Sequence, residues 1–142
     1  MRVRRRLFLL TCLALPASAL AADDALQAAI RQAIGDRAPQ EGGIAFTAPR
    51  VAENGAQVPV TISVESAMAG DDRILAIHLF ATANPTPGIT SIRLHPGVGR
   101  AEVQTRIRLA QGQRVLALAE HADGRVLSAA VEIGVTSGGC LA

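Results

Sequence analysis

The chain has 142 residues, enough for one domain with a core of its own. Its formal charge is +2, but Arg2, Arg4, Arg5 and Arg6 crowd the start; without them ten arginines face twelve acids, a net of −2. That excludes the basic surface a nucleic-acid binder needs, and with no Trp or Tyr there is no platform for stacking bases or sugars.

Residues 1–21 read as an export signal. The arginines form its basic start, Leu7 to Leu15 its apolar stretch, Pro16 a break, and Ala19-Leu20-Ala21 a small-residue cleavage site before Ala22. Nine residues are too few for a bilayer span, which needs about 20. Arg5-Arg6-Leu7-Phe8-Leu9 resembles the core of a twin-arginine signal, whose cargo folds before export. Thr11 and a short preceding apolar stretch disfavour lipidation of Cys12. The expected destination is the periplasm, with no membrane attachment.

A short helix is predicted over 22–36. Asp23 or Asp24 caps it, Leu26, Ala29, Ile30, Ala33 and Ile34 form its apolar face, and Gly35 with Pro39 ends it. From 37 to 135 the pattern is that of strands. Ile44 and Phe46 open the first. After the Asn54-Gly55 turn, Val58, Val60, Ile62 and Val64 alternate with polar residues, and Pro59 marks an edge or a strand start. Ile74 to Phe80 is a continuous apolar run, as expected of an inner strand. Asn84-Pro85-Thr86-Pro87-Gly88 is a rigid turn before a strand at Ile89–Leu94. Ala101, Val103, Thr105, Ile107 and Leu109 face inward; Arg106 and Arg108 face water, where they form a solvated face or dock an anion or acidic partner. Val115–His121 and Arg125–Val135 pair across Asp123-Gly124. About seven short strands with turns between them give an all-β fold, an immunoglobulin-like antiparallel β-sandwich with a short N-terminal helix.

Residues 136–142, Thr-Ser-Gly-Gly-Cys-Leu-Ala, leave the strand pattern and form a flexible C-terminal arm. Once the signal is removed, Cys140 is the one cysteine left. Exported proteins usually carry cysteines in pairs, as disulfides. A single thiol on the Gly138-Gly139 tether cannot staple a core; it reads as a reactive group held out on an arm. Extended, Thr136 to Cys140 spans at most roughly 17 Å, and the glycines add freedom and remove bulk. A free thiol titrates at about 8.5. No Arg, His or helix N-terminus adjoins Cys140 in sequence, and the Ala142 α-carboxylate opposes a second negative charge. Such a thiol is sluggish until an enzyme activates it, which suits a carrier. Without a C-x-x-C pair a thiol-redox enzyme is disfavoured; an interaction subunit using Cys140 for an intermolecular disulfide is the alternative. His78, His95 and His121 lie far apart, so no metal or other cofactor is expected, and no catalytic set stands out.

Several stretches also carry a family resemblance. They are Ala52-Glu53-Asn54-Gly55 with Val58-Pro59-Val60, Ala76 to Phe80 with Asn84-Pro85, Gly99 to Val103, Arg106 to Ala110, and Val135 to Cys140. Together they resemble, in order along the chain, the SoxY family of the bacterial thiosulfate-oxidising (Sox) pathway. The resemblance implies a sulfur carrier and not an enzyme, with Cys140 as the covalent attachment point. It implies a heterodimer with a SoxZ-like β-protein. It also implies exchange with a haem enzyme that conjugates thiosulfate, a hydrolase that releases sulfate, and a sulfur dehydrogenase. The family's tail is GGCGG, whereas Leu141-Ala142 follow the cysteine here.

Overall fold

The computed structural model describes residues 17–138. Helix α1 (Ala17–Ile34) precedes nine strands: β1 (Pro39–Glu41), β2 (Ile44–Thr47), β3 (Val51–Ala52), β4 (Val58–Val64), β5 (Ile74–Ala81), β6 (Gly88–Arg93), β7 (Ala101–Ile107), β8 (Gln113–His121) and β9 (Val126–Val135). The larger sheet runs β1-β9-β8-β5-β6, with β3 also on β9; the smaller runs β2-β4-β7. The two form the immunoglobulin-like sandwich that the strand pattern predicts. All seven predicted strands are present. The additions are β1 and β3, of three and two residues, which join β9 in parallel where antiparallel pairing was expected throughout. Segments so short carry no readable period; they are stretches of the connecting chain zipped onto the free edge of β9.

Alternation in β4 sends Val58, Val60, Ile62 and Val64 into the core, against Ile77 and Leu79 of β5 and Val115 and Ala117 of β8. Although β4 is central in its sheet, β2 pairs only with Thr61 to Val64. At Pro59 the one partner is Arg106 of β7, so the missing N–H falls where the other side is open. Proline thus marks the strand start, as the sequence predicts.

The unbroken apolar run of β5 follows from burial on both faces. Ile77, Leu79 and Ala81 enter the core between the sheets. Phe80 turns the other way and joins Leu118, Val126 and Ile34 beneath α1. The helix contributes Leu26, Ala29, Ile30, Ala33 and Ile34, the predicted face. It begins at Ala17, five residues before the predicted start at Ala22. Residues 20–25 are exposed, Leu20 at 69%, so a cut before Ala22 removes no packed side chain.

A polar chain locks the helix end to the sheet. Arg37 Nε donates to the Ile34 carbonyl at 2.7 Å, and its guanidinium pairs with Glu120 of β8. The other Glu120 oxygen meets Nε2 of buried His78 at 2.8 Å, and Nδ1 of His78 meets the Ser91 hydroxyl of β6 at 2.7 Å. Burial pushes the Glu120 carboxyl up, but its bonds to Arg37 and His78 outweigh burial and hold it below its ordinary 4.5. A carboxyl whose folded pKa is depressed adds stability above its unfolded pKa and loses it as pH falls through the folded value. Glu120→Gln should therefore melt at a lower temperature than wild type at neutral pH, with the gap narrowing below about 4.5. Thermal melts at stepped pH check this; a gap independent of pH would mean that the carboxylate charge contributes nothing.

Candidate functional site at the root of the C-terminal arm

Cys140, the predicted attachment point, and Gly139 lie outside the described residues, as do Leu141 and Ala142. The structure describes the platform from which they depart. Alongside β9, Gly134 N–H donates to the Arg50 carbonyl at 2.8 Å and Thr136 N–H to that of Ala52 at 3.0 Å. The Thr136 hydroxyl donates to the Glu53 carbonyl at 3.0 Å, and the Ser137 carbonyl accepts from Gly55 N–H at 2.8 Å. Thr136 and Ser137, the first residues of the predicted 136–142 arm, are thus stitched to the sandwich. From Gly138 to Cys140 three residues remain, a contour of at most roughly 10 Å.

Gly138 is the last described residue. A Cβ there would run into the backbone carbonyl oxygen of Ala110. The glycine is required at least for close approach of two backbones, which a reading based on freedom alone does not capture.

The Ala110 carbonyl is itself held in place. Leu109 N–H donates to the Gly55 carbonyl at 2.8 Å. On β7's far side the Asn84 carboxamide donates to the Arg108 carbonyl at 2.9 Å and accepts from Ala110 N–H at 3.0 Å. It also accepts from Gln113 Nε2 at 2.8 Å, and Gln113 in turn accepts from Ala83 N–H at 2.7 Å. Asn84 and Gln113 are both buried, and every polar atom of their buried side chains is paired. Neither stood out in the sequence beyond Asn84's place in a Pro-rich turn. A buried amide pair has no periodicity; Gln113, a polar residue opening an apolar strand, was the available signal.

The three histidines are indeed apart. His78 serves the Arg37–Glu120 chain. His121 lies between Asp72 (3.0 Å) and Asp123 (2.9 Å), and His95 accepts from Gly97 N–H at 3.0 Å. A backbone N–H donor, from Ala67 to Asp72 and from Arg125 to Asp123, is the leading cause holding each carboxyl below its ordinary range, and His121 adds to it. Among the described residues no group of three or more His, Cys, Asp or Glu is placed to hold a metal ion. Arg106 and Arg108, outward on β7 as predicted, line a groove of about 590 Å³ between the β6 and β7 edges.

Comparison with known proteins follows this geometry. Residues 30–140 match the model of a family described as sulfur oxidation protein SoxY. The sulfur carrier protein SoxY from Chlorobium limicola f thiosulfatophilum superposes with a TM-score of 0.66 at 30% identity, covering 80% of this chain and 98% of that one. A superoxide reductase (neelaredoxin) from Ignicoccus hospitalis reaches 0.57 at 18% identity, over 65% of this chain and 78% of that one. A crystal structure of a putative superoxide reductase from Thermotoga maritima reaches 0.57 at 12%, over 70% and 95%. At such identities the reductases share the fold alone. Among curated protein sequences none matches.

Two substitutions test the platform. Asn84→Ala strands the Arg108 carbonyl, the Ala110 N–H and Gln113, and should cost about 2–4 kcal/mol in urea unfolding. Gly138→Ala should leave global stability almost unchanged but push the root off Ala110. The readout is hydrogen exchange at the Gly55 amide, whose acceptor is Ser137. Exchange should quicken in Gly138→Ala; unaltered exchange would mean that the root tolerates a side chain there.

Proposed function

The chain belongs to the SoxY family of sulfur oxidation proteins and is a sulfur carrier of the Sox system, and from that premise we propose that it works in the periplasm and holds thiosulfate-derived intermediates on the Cys140 sulfur. The observation that carries this reading is the extent of the family match, which runs through the sandwich and the stitched root to residue 140 itself. Loading joins the thiol to thiosulfate as R–S–S–SO₃⁻, with one proton released and two electrons passed to a haem-containing conjugating enzyme. A hydrolase then cleaves off sulfate, and a sulfur dehydrogenase oxidises the remaining sulfane sulfur. The carrier's own part is to present the sulfur from a fixed point. With Ser137 anchored and three residues beyond it, partner enzymes must approach the end of the sandwich formed by Ala52–Gly55 and Ala110.

Export through the 1–21 signal, of twin-arginine type, fits a domain whose packing begins at Leu26. A SoxZ-like β-protein completes the carrier as a heterodimer. In its support, both sheets end in strands with one unpaired side, β6 in the larger and β2 and β7 in the smaller. Such edges call for cover.

Changing Cys140 to Ser should abolish thiosulfate-dependent turnover in a reconstituted system while the melting temperature stays at the wild-type value, because the thiol lies beyond the packed sandwich. Retained turnover would sink the carrier role of Cys140; a large loss of stability would make the thiol structural.

A further inference from the structure

The groove between the edge strands β6 and β7 is not used by anything described so far. Its lining includes Arg106 and Arg108 and the hydroxyl-bearing Thr86, Thr90 and Thr105, and no carboxylate. Both arginines are exposed, and neither has an ion-pair partner among the described residues. Two guanidinium groups with adjacent hydroxyls suit a tetrahedral oxoanion, to which arginine offers paired donors.

The groove also lies beside the arm. Asn84, part of its wall, accepts from Ala110 N–H and donates to the Arg108 carbonyl. The Ala110 carbonyl is the surface against which Gly138 rests. One carboxamide thus joins the groove wall to the root of the arm. From Gly138 two more residues bring the chain to Cys140, a reach of roughly 7 Å, and the disulfide-linked sulfonate extends it.

We propose that this groove is a docking site for the arm's own cargo: the Gly139–Leu141 segment folds back when loaded, and the terminal sulfonate of R–S–S–SO₃⁻ binds Arg106 and Arg108. This rests on Cys140 being the attachment point. The occupant follows from charge and place: a loaded arm brings an anion to within reach of two uncommitted cations, and an unloaded thiol brings none. Exposed ion pairs hold weakly and yield to salt. The docked arm is therefore in exchange with a free one, and an approaching enzyme can take it.

The test needs no Sox enzyme. Tetrathionate loads the purified exported protein: the Cys140 thiolate attacks the central S–S bond, forms R–S–S–SO₃⁻ and releases thiosulfate, while the thiol proton goes to water. One S–S bond forms as one breaks, and mass spectrometry verifies the adduct. Amide NMR then compares loaded with unloaded protein. Loading should shift the amides of Thr86, Thr90 and Thr105 to Arg108 and raise the heteronuclear NOE of Gly139 and Leu141. In the Arg106→Ala/Arg108→Ala double variant the adduct should form as before, but the groove shifts should vanish. The docked-to-free ratio should fall roughly fivefold, the size that an exposed ion pair delivers, as it should in wild type at high salt. Shifts confined to residues 136–142 with an unchanged NOE would overturn the proposal, as would groove shifts that survive the double variant. Groove shifts that appear only on adding a second protein would assign the groove to that partner and also overturn it. None of these outcomes touches the carrier reading, which stands or falls on turnover by Cys140→Ser.

Discussion

The placement of the arm depends on the carboxamide of Asn84. A buried amide costs free energy unless its donors and acceptor are matched, and here one side chain satisfies the Arg108 carbonyl, the Ala110 N–H and Gln113 together. Aspartate would lose the donor to Arg108, and leucine would lose every bond. Fixing 108–110 fixes Leu109, whose N–H meets the Gly55 carbonyl, and Gly55 in turn holds Ser137. The thiol's origin in space is thus set by a chain of hydrogen bonds from a turn 53 positions away, read from Asn84 to Ser137.

Rigidity comes from the sheet behind that chain. The strand that becomes the arm, β9, pairs with β8 along most of its length and takes β1 and β3 on its other side. Its sheet is covered by the second sheet on one face and α1 on the other. The root therefore inherits the stability of the core, and motion is left to the few residues after Ser137. That division suits a carrier: a short tether on a fixed post samples a small volume, which raises the local concentration of cargo at a docked enzyme.

The elements of the fold were legible because hydrophobic period and turn chemistry agree along the chain. Val58 to Val64 alternates, Asp123-Gly124 turns with Gly124 at φ 94°, and each predicted strand lies within a few residues of its place. The parallel additions β1 and β3 were not legible, since pairings of two or three residues are decided by what β9 leaves open. Gly138 was read as freedom, and its contact with Ala110 depends on a backbone 28 positions away. The Asn84–Gln113 pair was hidden for the same reason: hydrogen bonds across long separations leave no local pattern. The importance of the cysteine was legible from rarity alone, as one thiol remaining after an export signal.

Charge explains why such a site belongs to a carrier more than to a catalyst. A catalytic thiol needs a permanent base or cation beside it to stay ionised. The cations nearest the arm are on an open strand edge, where water and salt weaken them and where ordinary ion pairs contribute only about 0.2–1 kcal/mol. That is too little to activate a thiol permanently, but enough to bias where an anion rests. A strong, buried cation would hold the loaded arm against the carrier and compete with every enzyme that must receive it. An exposed pair of arginines shelters an anionic intermediate between encounters and releases it to any site that desolvates and binds it more tightly. Weak retention on a rigid post is the balance that repeated hand-over of one covalent intermediate requires.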